Sequence, residues 1–125
     1  MHKIISTDKA PAAVGTYSQG VELQGVFYFS GQIGLDPANG ELKKTFDDQL
    51  EQILKNIDGL LDSQDLKRTN IFKTTIFMTN LADFSKVNVA YENFFEKPYP
   101  ARSCVQVSAL PKGALIEIEV MAQRH

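Results

Sequence analysis

Two hydrophobic rhythms alternate along this chain. Over "VFYFSGQIG", residues 26–34, the period is two. Phe27, Phe29, Gly31 and Ile33 fall on one face, and Tyr28, Ser30 and Gln32 on the other. That is the pattern of a strand. Over residues 45–63 the apolar positions Phe46, Leu50, Ile53, Leu54, Ile57, Leu60 and Leu61 recur every three or four residues, which makes one stripe of an amphipathic helix. Thr45, with Asp48 three residues on, resembles a capping box in which Asp replaces the usual Glu. A second helix is predicted over 83–95, with Phe84, Val87, Tyr91, Phe94 and Phe95 on its buried side. Further strands are predicted over 3–6, 17–23, 71–78, 102–107 and 115–122. Turn chemistry falls at Gln24-Gly25 and in "LDPANGEL".

About six strands and two helices make an α+β layer fold. Two helices cover one face of such a sheet. "VFYF" and "IFKTTIFM" read as apolar on both faces, as in strands buried on both sides. The face without helices therefore needs a second cover, and another copy of the chain is the simplest one.

Composition narrows the functional classes. The 125 residues fit one domain, 1–125. The net charge is −2 with both signs interspersed, which supplies no electrostatic reason for nucleic acid or an anionic membrane as partner. Cys104 is the single cysteine, so no intrachain disulfide forms, which suits a reducing compartment. The first residues lack the apolar run of a signal peptide, and a cytoplasmic location is expected. With two histidines and one cysteine, the ligands of a protein metal cage are lacking. No phosphate-binding glycine loop and no G-x-S-x-G is present.

A few polar residues stand where apolar ones are expected. Arg102 opens the strand of "PARSCVQV"; it either forms a buried or interfacial ion pair or binds a ligand. Glu117 alternates with Ile116 and Ile118 in "LIEIEV" and shares a face with Glu119. That face is open to water, or it confines a carboxylate that pairs with Arg102 or holds a water. Asn88 lies on the apolar side of the second helix, where a hydrogen bond to loop backbone would satisfy it. Ser30-Gly31 interrupts a strong strand, which marks a close approach to a ligand or a β-bulge. Tyr17 stands with this group. Cys104 reads as a buried hydrophobe rather than a nucleophile, having no His or Lys partner.

These residues fall within blocks that resemble a known family. "KAPAAVGTYSQGVEL", "SGQIGLDPANGEL", "NLADFSKVNVAYENFF" and "PARSCVQVSALPKGALIEIEVMA" together are similar to the RidA/YjgF family of reactive-intermediate deaminases, nearly end to end. The resemblance implies a chorismate-mutase-like fold and a homotrimer with clefts between subunits. It implies hydrolysis of 2-imino acids, chiefly 2-iminopropanoate and 2-iminobutanoate, to 2-oxo acids and ammonia, without cofactor or metal. Carried over residue by residue, it assigns Arg102 to the substrate carboxylate and Glu117 to the attacking water. It places Tyr17 and Ser30 along the cleft, backbone groups of Gly31 and Cys104 near the imine, and Asn88 in the supporting wall. The chain departs from the family's usual proline at Thr16 and often at Gly34, and the segment 96–99 is short. Two rival roles are a binding module for a small carboxylate and a ribonuclease. The acidic balance and the lack of a basic stripe argue against the latter.

Overall fold

Helix α1 (Phe46–Ser63) begins where its cap dictates. Thr45 is extended, and its hydroxyl accepts from Asp48 N at 3.1 Å. Asp47 and Asp48 occupy the first turn, at the positive end of the helix dipole. The stripe Leu50, Ile53, Ile57, Leu60 and Leu61 is buried. Helix α2 (Phe84–Phe94) buries Val87, Tyr91 and Phe94, and Phe95 beyond its end packs edge-on against Tyr91 and Phe94. The computed structural model describes all residues, Met1–His125.

The strands are β1 (Lys3–Ile5), β2 (Gly20–Leu23), β3 (Val26–Phe29), β4 (Ile71–Met78), β5 (Ala101–Gln106) and β6 (Ile116–Gln123). They form one sheet in the order β1-β2-β3-β6-β4-β5. β4 and β5 run parallel and every other pair antiparallel, so the sheet is mixed. In β6, Ile116, Ile118, Val120 and Ala122 are each at most 2% exposed and face the helices. Glu117, Glu119 and Met121 point to the other side. The six strands and two helices of the α+β reading are all present. No helix is long and apolar enough to cross a membrane.

Three local readings change. The strand expected over 17–23 begins at Gly20, which leaves Tyr17 in a loop. The strand expected to continue through Gly31 stops at Phe29, and Gln32 returns to the sheet through an isolated bridge to Ile118. β4 is also not apolar on both faces. A register shift between Ile71 and Lys73 inserts Phe72 as an extra residue and reverses the phase of the rest of the strand. Ile71, Thr74, Ile76 and Met78 therefore face the helices, while Lys73, Thr75 and Phe77 face away. The outer face is mixed. Ile4, Tyr28 and Val105 are exposed there at 60%, 41% and 44%, beside Lys73, Ser103 and Glu119.

Buried amides anchor the loops that reach over α1. Asn56 donates to Leu35 O, and Gln49 donates to Lys43 O while accepting from Leu115 N, each at 2.9 Å. The loop before β2 crosses α1 at Gly59, where a Cβ would collide with Lys9 O. At Gly34 a Cβ would meet Gln49 Cα at 2.6 Å, so this loop lies closer to the helix than a proline would allow.

Candidate active site

β5 is an edge strand, and Arg102 sits opposite Thr74 of β4. Its side chain therefore leaves the sheet on the helix side, above α2. Arg102 Nη1 donates to Asn88 Oδ1 at 2.7 Å. The guanidinium carbon lies 4.9 Å from the Phe84 ring centre and 5.6 Å from that of Tyr91, within cation–π range. Phe84, Asn88 and Tyr91 are spaced four and three residues apart, one stripe of the helix. The Tyr91 hydroxyl donates to Thr74 Oγ1 at 3.1 Å. Burial pushes its pKa up to about 12, so it stays a protonated donor. Arg102, Asn88 and Tyr91 line a cleft of about 520 Å³ with Glu92, Tyr99 and Pro100.

No carboxylate lies within ion-pairing distance of Arg102. A guanidinium carries five N–H donors, and within the chain Arg102 makes one side-chain hydrogen bond, to a neutral amide oxygen. Asn88 is thus the partner of Arg102, not a lock on loop backbone.

Cys104 follows two residues on. Burial pushes its thiol pKa up, and the Arg102 charge pulls it partly back. Its Sγ rests 3.8 Å from Met78 Sδ. It is a thiol at neutral pH, not an activated nucleophile. Val107 N donates to Met78 O at 2.8 Å. By the alternation of a parallel ladder, Val105 and Ser103 also bond inward, and the N–H and C=O of Cys104 turn to the free sheet edge.

Glu117 is elsewhere. It sits opposite Phe77, so its side chain leaves by the other face. It projects into a second cleft of about 400 Å³, shared with Tyr17, Ser30, Gly31, Gln32 and Lys112. Burial raises its pKa, and the neighbouring Glu119 carboxylate adds to the rise. The carboxylate has no hydrogen-bond partner in the chain. A Cβ on Gly31 would collide with it, so the close approach expected at Gly31 is that of the chain's own Glu117. Ser30 Oγ donates to Ser18 O at 2.7 Å, which leaves the oxygen free only to accept. Tyr17 is 54% exposed.

The loop bearing Tyr17 is shaped by Gln19, which sequence reading passed over. Its buried Nε2 donates to Thr7 O at 2.9 Å and Pro11 O at 2.7 Å, and its Oε1 accepts from Thr7 N at 2.6 Å. Gln19, Gln49, Asn56 and the Phe84–Tyr91 pair share one weak signal. Each is a polar or aromatic group placed where an aliphatic would suffice.

Arg102 and Glu117 do not meet within one chain. Three residues along the strands and two strands across place their backbones roughly 14 Å apart, and their side chains then depart from opposite faces. An ion pair between them, one of the sequence readings, does not form in the chain. The structure divides the candidate residues into an Arg102 half with Asn88 and Cys104 and a Glu117 half with Tyr17, Ser30 and Gly31.

The model of the family described as Endoribonuclease L-PSP matches residues 7–124. The chain belongs to this family, the RidA/YjgF family. Among RidA/YjgF relatives, a Salmonella typhimurium protein named 2-iminobutanoate/2-iminopropanoate deaminase is 45% identical, with 100% of each chain covered. A Lactococcus lactis relative that bears a regulator's name, AldR, is 48% identical over 97% of each chain. The crystal structure of Escherichia coli TdcF with bound serine superposes with a TM-score of 0.92 at 42% identity, covering 98% of this chain and 99% of that one.

Proposed function

We propose that the chain is a hydrolytic deaminase that converts 2-imino acids such as 2-iminopropanoate and 2-iminobutanoate, with their enamine tautomers, to 2-oxo acids and ammonia. The observation that carries this reading is Arg102. It is a fixed guanidinium with no carboxylate of its own, at the wall of an open cleft, in a chain 45% identical to a protein named for that reaction. A 2-imino acid presents a planar carboxylate beside an electrophilic C=N carbon. The arginine fork binds both carboxylate oxygens, which a lysine point charge does not. A water held by Glu117 adds to the imine carbon and yields a proton to the carboxylate. That proton passes to the imine nitrogen and gives a carbinolamine; the carboxylate then takes the hydroxyl proton and hands it to the same nitrogen, so that the C–N bond breaks, ammonia leaves and the carbonyl forms. No cofactor or metal takes part in this scheme. Imines of this class hydrolyse unaided, so orientation and modest acid–base help are sufficient.

The site is completed between subunits. Arg102 of one copy, with the free backbone edge at Cys104, faces the Glu117–Tyr17 cleft of the next. A closed ring of three copies brings each half against its complement and covers Ile4, Tyr28 and Val105. In this reading RNA and membranes are not partners. Two measurements test it. One generates imines in situ with an amino-acid oxidase and measures how far the protein outcompetes semicarbazide trapping. The other is sedimentation. Ammonia release that tracks a trimer and is lost in Arg102→Ala supports the reading, and a monomer that still turns over overturns the shared site. The regulator name of the Lactococcus lactis relative favours a second reading, a sensor of small carboxylates. The sensor binds pyruvate through Arg102 and releases no ammonia.

A further inference from the structure

The proposed function assigns Arg102 to the carboxylate, but an arginine on an edge strand is mobile unless something holds it. The side chain has rotamer freedom to lose, and one hydrogen bond to Asn88 Oδ1 leaves the guanidinium free to pivot about that bond. Two further contacts remove the pivot. The Phe84 and Tyr91 rings lie 4.9 and 5.6 Å from the guanidinium carbon, and both project from the same stripe of α2 as Asn88. Tyr91 is in turn held by its hydrogen bond to Thr74. Thr74 is 0% exposed and is the residue directly across the ladder from Arg102. The chain of contacts closes on itself, from Arg102 through the aromatic face of Tyr91 and the Thr74 hydroxyl back to the strand pair that carries Arg102.

From this geometry we propose that Phe84 and Tyr91 are positioning residues for substrate: they hold the guanidinium over their rings so that the N–H groups not bound to Asn88 are presented, already oriented, to the incoming carboxylate. Aromatic faces suit this task because they hold a cation without consuming a hydrogen-bond donor. A carboxylate in their place would pair with the arginine and compete with the substrate. Helix α2 then has two jobs on one stripe. Val87 and Phe94 fill the core, and Phe84, Asn88 and Tyr91 set the clamp.

The inference rests on Arg102 being the carboxylate clamp, and the test separates the two. Wild type, Phe84→Leu, Phe84→Tyr, Tyr91→Phe and Arg102→Lys are compared, with Phe84→Leu also built into Arg102→Lys. The readouts are pyruvate dissociation constant, KM, kcat and melting temperature. Phe84→Leu is expected to weaken pyruvate binding and raise KM by about 3- to 30-fold, the span of a cation–π contact at such a site. The change in kcat should be smaller, since the clamp acts on binding. Phe84→Tyr restores the aromatic face and should restore affinity. Tyr91→Phe keeps the ring and loses only the Thr74 tie, so its effect is smaller than that of Phe84→Leu. In the Arg102→Lys background the Phe84→Leu penalty should shrink, because the planar group it orients is gone. Unchanged pyruvate affinity in Phe84→Leu would overturn the inference while leaving the clamp intact. So would an undiminished penalty in the double variant, or a loss that Phe84→Tyr fails to rescue. If wild type bound no pyruvate, or Arg102→Lys bound it as well as wild type, the clamp itself would fall and this inference with it.

Discussion

Two arginines of this chain, Arg68 and Arg102, sit in superficially similar places. Each lies over an aromatic ring of α2, and each ties a strand region to a helix. Every side-chain nitrogen of Arg68 is engaged. Its Nε and Nη2 donate to the two Asp58 oxygens at 2.9 and 2.7 Å, Nη1 donates to Phe94 O at 3.2 Å, and the Phe94 ring centre is 3.9 Å away. Asp58 lies on α1 and Phe94 closes α2, so one guanidinium clasps both helices to the turn before β4. Arg102 has the aromatic faces and one neutral acceptor but no carboxylate. The first arrangement satisfies a cation from within the fold. The second prepares a cation for something the fold does not supply. The two arginines thus differ in whether the fork is already filled, not in their aromatic setting, and the proposed binding role of Arg102 rests on that difference.

The sharpest way to break this contrast is to delete each cation. On the proposed reading Arg102→Ala removes two charge-assisted hydrogen bonds to substrate, each worth about 1.5–3 kcal/mol, so kcat/KM for imine hydrolysis should fall by about 10²–10⁴. The melting temperature should hardly move, and Arg102→Lys should recover only part of the activity. A large drop in melting temperature with activity per folded molecule preserved would place Arg102 with Arg68 as structural. On the other half of the site, Glu117→Gln should lower kcat by about 10²–10⁴ while pyruvate still binds. Its effect on stability has the opposite sign. The folded-state pKa of Glu117 is raised, so its favourable share of stability is present below the unfolded pKa and lost as pH rises through the folded one. At neutral pH the glutamine variant should therefore melt no lower than wild type, and somewhat higher if the confinement of the charge dominates.

Arg68→Ala should do the reverse of Arg102→Ala. The pair with Asp58 is partly exposed, so the expected loss is about 1–2 kcal/mol, or about 3–10 °C at fixed protein concentration. Turnover per folded molecule should be unchanged. A drop in kcat/KM larger than the unfolded fraction explains would show that the clasp reaches the site. Cys104→Ser should leave turnover within about tenfold, because the thiol is protonated and only its backbone faces the free edge. Full inactivation of a variant that remains folded would assign the thiol a chemical role. The smallest effect is a displacement of the pH profile. Glu119 helps hold the Glu117 pKa up, so Glu119→Gln should move the acid limb of kcat/KM to lower pH. An unmoved limb would remove Glu117 from the proton path.

Much of this molecule was legible along the chain. The apolar stripe of α1, the Thr45 cap and the period-two run of β6 are local patterns, and local patterns survive into the structure because backbone periodicity sets which residues share a face. The sequence also singled out Arg102, Glu117, Gly31 and Asn88, since a charge, a missing side chain or an amide within an apolar run is costly unless something nearby accounts for it.

The contacts those residues make were decided only by tertiary structure. The one-residue shift at Phe72 changed which half of β4 meets the helices, and no pattern in "IFKTTIFM" announces it, because a bulge is defined by its partner strand. The pairing of Asn88 with Arg102 joins residues of different elements that meet only once β5 lies beside β4 above α2. The placement of Arg102 and Glu117 on opposite faces is a property of register and strand order. The sequence by itself determined the elements, the buried faces of α1, α2 and β6, and the set of chemically unusual residues. The fold decided which of those residues share a cleft, because that depends on long-range strand pairing, which local propensity does not encode.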